Sequence, residues 1–269
     1  MRETGGAPVR TVYFALGILS LILFHSGCGN RFDINTERGR QAIVDEANNH
    51  LSNGECQAAI DAIEPLYTST FVNDEIRIIR ASGDACFSNF SMLTLLANVA
   101  DKPNFYEALA KTMQNNLNDG KIAALYRATD ILTVAGAQLL ASQRTKKIND
   151  FMVFLQLGVM GAIQDAYGAG TSEGVQAVTF NYLVAGAGTL SNADGCAYAA
   201  AVGFIWDSFN NSNLSSNSQA GTAIARLDSI CTLAGTTCAT INKNRAACDG
   251  ANAASLTADA IVDQVNTAW

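Results

Sequence analysis

The sequence predicts an all-α protein of helical hairpins, with an amphipathic first half and an apolar second half. Three observations lead there. Only 3 prolines interrupt 269 residues that are rich in Ala, Leu and Asn, which favours helices over a sheet punctuated by Pro and Gly. Apolar residues of the first half recur at i, i+4 and i+8, the period of one helix face. Charged residues are 15% of the chain, below the about 25% of ordinary soluble domains, and the shortfall falls in the second half. The net charge of -7, without a Lys/Arg cluster, excludes the basic footprint that nucleic acid requires. The chain has 2 histidines, His25 and His50, which excludes multi-histidine zinc sites and argues against a histidine-based triad.

The first segment, residues 1–27, reads as a secretory signal. Arg2 and Arg10 lie in a polar start, and Thr11 to Phe24 (TVYFALGILSLILF) is free of charge. That run falls short of the roughly 20 residues needed to span a bilayer, and fits the apolar core of a cleavable signal. Ser26-Gly27-Cys28 resembles the lipobox of bacterial lipoprotein precursors, with His25 where the pattern usually has Leu. The resemblance implies that the Cys28 sulfur carries diacylglycerol, that palmitate or a similar chain is added, and that Cys28 becomes the first mature residue. Gly29, in place of Asp, implies sorting to the outer membrane. Several acyl chains, at about 0.8 kcal/mol per buried methylene, make a firm anchor.

Residues 28–36 then form a lipidated tether. Thr36 is a candidate N-cap for a helix whose Ile43, Ala47 and Leu51 share a face. Asn53-Gly54 ends it, and Cys56 to Tyr67 begins another, with Ala59, Ile60, Ile63 and Leu66 on one stripe. A 34-residue offset matches Ala47 with Ala81, Cys56 with Phe90, Ala59 with Leu93 and Ile63 with Ala97. Residues 37–101 therefore resemble two degenerate tetratricopeptide units, beside the alternative of a generic helical bundle. Residues 104–118 and 120–143 read as two further helices, completing a helical domain over 37–147.

Composition shifts at that point. Residues 28–147 hold 12 basic and 14 acidic side chains, whereas residues 148–269 hold 3 and 9. Between Phe151 and Trp206 the charged residues are Asp165, Glu173 and Asp194. Three runs in this stretch, Phe151–Ile163, Val175–Leu190 and Cys196–Trp206, read as helices apolar on nearly all sides. Turn signals separate them at Gly168-Ala169-Gly170-Thr171 and Asn192-Ala193-Asp194-Gly195. Asp207–Gln219 reads as a polar loop, followed by helices near 220–233 and 256–267. Low charge has three candidate explanations: a buried core, a subunit interface, or contact with lipid. For the last two, the contact residues would be Phe151, Phe154, Leu157, Phe180, Leu183, Phe204 and Trp206. Tyr167, Tyr182, Tyr198, Trp206 and Phe209 would supply an interfacial aromatic band.

With Cys28 assigned to lipid, six cysteines remain: Cys56, Cys86, Cys196, Cys231, Cys238 and Cys248. An even number suits an oxidising compartment and a disulfide-stapled domain over 148–269. Cys56 and Cys86 share the first half, which predicts their pairing; the other four pair among themselves. Metal ligation is disfavoured, because Cys231, Cys238 and Cys248 lack close ligand spacing and a neighbouring His.

An anchored helical chain with tetratricopeptide-like units, paired cysteines and a nearly uncharged second half resembles the ring-forming helical outer-membrane lipoproteins of predatory bacteria, the predator outer-membrane protein A type. The resemblance implies a homo-oligomer whose apolar helices meet membrane lipid and neighbouring subunits. The alternative is a periplasm-facing tetratricopeptide-like adaptor gripping an envelope protein partner. The sequence offers no catalytic or cofactor motif. Asp61/Glu64 and Asp45/Glu46 read as solvated faces, and residues 168–174 lack the lysine of a phosphate loop. No enzyme, cofactor or metal is expected.

Overall fold

A computed structural model of the chain describes residues 32–113, 120–134, 140–168, 173–182, 190–216, 219–248, 250 and 252–269. Cys28, Leu183 and the apolar run Thr11–Phe24 lie outside these residues. The described residues form α-helices joined by loops and two short 3-10 turns, with no strand among them.

Short polar residues start most of the helices. Thr36 caps α1 (Glu37–Ser52) by accepting from the Gly39 amide, as its position suggests. Next comes α2 (Cys56–Tyr67), with Ala59, Ile60, Ile63 and Leu66 buried as one stripe. Asn73 caps α3 (Asp74–Cys86), Ser91 caps α4 (Met92–Asp101), and Asn104 caps α5 (Phe105–Thr112). The second half of the fold runs through α6 (Gly120–Val134), α7 (Lys146–Gly168), α8 (Asn192–Asn210), α9 (Gln219–Leu233) and α10 (Ala253–Ala268).

The first helices stack in chain order, α1 on α2 and α2 on α3. Beyond α3 the spatial order departs from the chain order. The helix packed most extensively on α3 is α6, while α4 pairs with α5 and touches α9. The 34-residue register matches Cys56, the first residue of α2, with Phe90 in the turn before α4, and buried Ala59 with Leu93, which is 79% exposed, and α6 takes the place beside α3 that α4 would fill in a repeating array.

α7 is the centre of the molecule, contacting α3, α5, α6 and α8. Its central stretch, residues 151–164, is surrounded on several sides and has no polar face to present, which accounts for the absence of charge there, while Lys146 and Lys147 at its start are exposed. α8 is similarly enclosed by α7, α9 and α10. Close packing relies on small residues: a Cβ on Gly161 would stand 2.8 Å from the Leu109 carbonyl oxygen. One large core joins residues from Ala81 to Val265, and a smaller one holds Ile43, Val44, Ala47 and Ile63 with their neighbours. The large core includes Leu125 and Leu132 alongside Ile148 and Met152, so burial continues across the compositional boundary at Lys147.

Three expectations about the second half need correction, the simplest being that Asp207–Asn210, expected to open a polar loop, complete α8. Residues 175–182, expected as the start of a helix over Val175–Leu190, are not helical. Their backbone is held externally: the Ala177 and Val178 amides donate to the Gly168 carbonyl, and the Phe180 amide donates to Asn266 Oδ1. Gly174, at φ +82°, makes the preceding bend in a conformation that glycine tolerates. Asn192-Ala193-Asp194-Gly195, expected as a turn, is the first turn of α8. Ser191 accepts from the Asp194 amide there, the pairing of a helix start.

Candidate functional site

Phe151 and Phe154, two of the expected contact residues, come together on α7 at a cleft between α1, α3 and α7. The cleft has a volume of about 600 Å³ and a lining without charged side chains. Leu51 closes it from α1, Ala85 and Cys86 from α3, and Phe90 from the turn after α3. Asn89 makes that turn at φ 54°, a left-handed conformation that Asn adopts more readily than most residues. The reversal lays the Phe90 ring over Gly158 of α7, where a Cβ would stand 3.0 Å from the ring. Asn48, Ser52, Ser82 and Asn89 supply polar edges. The arrangement suits an uncharged, largely apolar guest, within the roughly 300–1,000 Å³ of ligand sites in general.

The Cys56–Cys86 disulfide, with Cα atoms 5.5 Å apart, ties the start of α2 to the end of α3 beside this cleft. Cys196–Cys248 ties α8 to the loop before α10, and Cys231–Cys238 closes the end of α9. All six cysteines of the described residues are therefore paired.

The remaining expected contact residues lie elsewhere. Leu157, Phe180 and Phe204 are buried at 3%, 0% and 6% exposure, so they face the core rather than lipid or a neighbouring subunit. Trp206 is half-buried against the same core. The aromatic band is also corrected: Tyr182 and Tyr198 are fully buried, and Phe180 packs edge-on against Tyr198 with ring centres 5.2 Å apart. Low charge in α7 and α8 is explained by the protomer's own interior. No helix among the described residues is long and apolar enough to cross a membrane.

The three acids of the apolar stretch all have partners. Asp165 faces Lys121 at 3.6 Å, and Glu173 receives Lys102 at 3.1 Å. Burial pushes the Asp165 carboxyl up and the Lys121 amine down, each partly offset by the other's charge. Asp194 accepts hydrogen bonds from the hydroxyls of Tyr126 (2.8 Å), Ser191 (2.7 Å) and Tyr167. Arg245 stacks over Tyr126, 4.8 Å from the ring centre, and grips Asp130 with two hydrogen bonds of 2.7 and 2.6 Å. Burial, reinforced by the Asp194 charge, pushes the Tyr126 hydroxyl far above its ordinary range, so it stays a donor. The sequence pattern missed this network. Its available signal was an isolated Asp194 three residues after Ser191.

Nothing in these clusters assembles a nucleophile with an activating base. The described residues contain no group of three or more His, Cys, Asp or Glu able to hold a metal ion. His50 lies at the surface and pairs with Glu55 at 2.5 Å. What the described surface offers is an apolar cleft beside a disulfide, with polar networks fixing the helices around it. Comparison of the chain with protein-family models, curated proteins and solved structures found no match.

Proposed function

We propose that this chain is a lipid-anchored, all-helical outer-membrane lipoprotein that organises or tethers envelope components and catalyses no reaction. The carrying observation is cysteine usage: every cysteine in the described fold is in a disulfide, and the seventh, Cys28, ends Ser26-Gly27-Cys28. Paired cysteines fit an oxidising compartment, and a thioether to lipid would remove the odd thiol. Enclosure of lipid by α7 and α8 is left out of this proposal because their apolar side chains are already buried. Membrane contact then rests on Cys28, and self-association on exposed side chains such as Leu93 and Leu140, at 79% and 60% exposure.

Labelling cells with a clickable palmitate analogue tests the anchor. The expected result is a labelled protein that partitions into detergent, with Cys28→Ser abolishing both properties. A wild-type protein without label, or a label retained by Cys28→Ser, overturns the proposal.

The cleft between α1, α3 and α7 favours a second reading, in which the anchored protein acts as an adaptor for an envelope protein. A photo-reactive amino acid at position 154 is then expected to capture a partner at the envelope. Capture dependent on Phe90 and Phe151 supports this reading; absence of a specific adduct removes it.

A further inference from the structure

A second cavity, of about 470 Å³ and broadly open to solvent, lies between the start of α5, the latter half of α9 and the end of α10. Its chemistry differs from that of the uncharged cleft. Arg226 lines it from α9, and the second half of the chain is poor in basic residues. Of the other two, Lys243 pairs with Asp207 at 2.7 Å and Arg245 with Asp130 at 2.6 Å. Arg226 makes no ion pair among the described residues. One guanidinium nitrogen donates to the Pro103 carbonyl at 3.2 Å, which leaves further donors available.

Tyr106 lies beside it in the wall of the same cavity. This residue is 4% exposed, yet its hydroxyl has no hydrogen-bond partner. Burial raises the hydroxyl pKa, and the Arg226 charge opposes that rise. Buried hydroxyls are ordinarily paired, so this one is an unused donor on a residue that lines the cavity. The cavity's other polar wall is already engaged, since Asn104 Nδ2 donates to the carbonyl oxygens of Ala268 and Trp269. Phe105 and Ile230 provide buried apolar surface, and Leu233 stands 67% exposed at the rim.

A cation with spare donors, an unpaired phenol and an adjoining apolar wall complement an acceptor-only anionic head on a hydrocarbon body. We propose that this cavity binds a long-chain fatty acid, with its carboxylate held by Arg226 and the Tyr106 hydroxyl, and its chain along Phe105, Ile230 and Leu233. The charge of Arg226 selects a carboxylate over an alcohol of the same length. The site is separate from the α1–α3–α7 cleft and does not depend on lipidation of Cys28.

The test is calorimetric titration of the full chain with dodecanoate below its micelle concentration, and with dodecanol as the uncharged comparator. Dodecanoate is expected to bind at least tenfold tighter than dodecanol. Arg226→Gln should weaken dodecanoate binding by about 10- to 100-fold while leaving dodecanol unchanged. Tyr106→Phe should weaken it by several-fold, with a melting temperature equal to or above wild type, because the unliganded phenol satisfies no bond. Ser229→Asp, which places a negative charge on the cavity lining, gives an independent loss of dodecanoate binding should Arg226→Gln fail to fold. Equal affinity for acid and alcohol, or dodecanoate binding unaffected by Arg226→Gln or Ser229→Asp, overturns the assignment. So does the absence of dodecanoate binding. A short apolar peptide that competes through its free C-terminal carboxylate, at lower concentration than dodecanoate, replaces the fatty acid with a peptide ligand and likewise overturns it.

Discussion

Replacing Phe180 with Ala separates a core residue from a lipid-facing or subunit-facing one. Phe180 is completely buried, packs edge-on against Tyr198 and Trp269 at ring-centre distances of 5.2 and 5.6 Å, and lies in a segment without helical hydrogen bonds of its own. Truncation removes the transfer energy of the ring and leaves a cavity whose walls are held by α8 and α10. A buried Phe→Ala change costs about 3–5 kcal/mol, and the two aromatic pairings place this one toward the upper end. At about 2–4 °C per kcal/mol for a chain of this size, the melting temperature should fall by about 6–20 °C. Val178→Ala, two residues away and 48% exposed, is the matched control and should cost under about 0.5 kcal/mol. Urea unfolding followed by circular dichroism, with disulfides intact, measures both. A Phe180→Ala protein within about 1 kcal/mol of the control would refute the assignment of this stretch to the core.

Other perturbations probe the packing, the staples and the buried charges. Gly161→Ala should destabilise by about 1–3 kcal/mol, because the Leu109 carbonyl at 2.8 Å is backbone and cannot swing aside; Gly120→Ala, with nothing within 4 Å, should stabilise by about 0.5–1 kcal/mol. Thermal melts of the two variants should therefore move in opposite directions. Replacing the disulfides one at a time by Ala pairs should rank them by loop length, with sequence separations of 52 for Cys196–Cys248, 30 for Cys56–Cys86 and 7 for Cys231–Cys238. Loop-closure entropy gives about 4, 3.6 and 2.4 kcal/mol in that order, and chemical denaturation should reproduce the ranking. For Asp165, a folded-state pKa above the unfolded one means a stability contribution present at low pH and lost as pH rises through the folded value. Asp165→Asn should therefore flatten the pH dependence of stability just above the ordinary carboxylate range.

How far the sequence could be read differs sharply between the two halves, for physical reasons. α1 and α2 follow from Thr36, from Ile43, Ala47 and Leu51, and from Ala59, Ile60 and Ile63, because a helix half in water writes its period into the chain. Pairing of Cys56 with Cys86 followed from position alone. In the second half, α7 and α8 are enclosed, so their apolar residues mark burial without saying what buries them. The same composition fits lipid, a subunit or the protomer's own helices, and only the packing of α3, α5, α6 and α10 around them distinguishes the three. The helix expected from Val175 fails for a related reason. An apolar run says nothing about backbone state when its amide partners, Gly168 and Asn266, lie outside the run. The start of α8 was legible and overlooked: Ser191 with Asp194 three residues on is a helix start, masked by the turn-forming look of Asn192 and Gly195. The cleft at Phe151 and Phe154 depends on the Asn89 reversal, and the absence of an ion pair at Arg226 depends on Asp207 and Asp130 lying beside Lys243 and Arg245, which no sequence pattern encodes.

The seating of α6 against α3 constrains how the polypeptide can acquire its shape. Asp84 must wait for Arg127, 43 residues downstream, before the 2.8 Å hydrogen bond between them can form. As a chain is synthesised amino end first, the first three helices would emerge with one flank bare, and α4 and α5 would pass by before the covering helix arrived. Such a topology delays consolidation until most of the polypeptide has been delivered, raises the share of distant contacts and slows the search for them. A holding factor that shields the α3 flank until α6 arrives would shorten the interval in which this surface can aggregate.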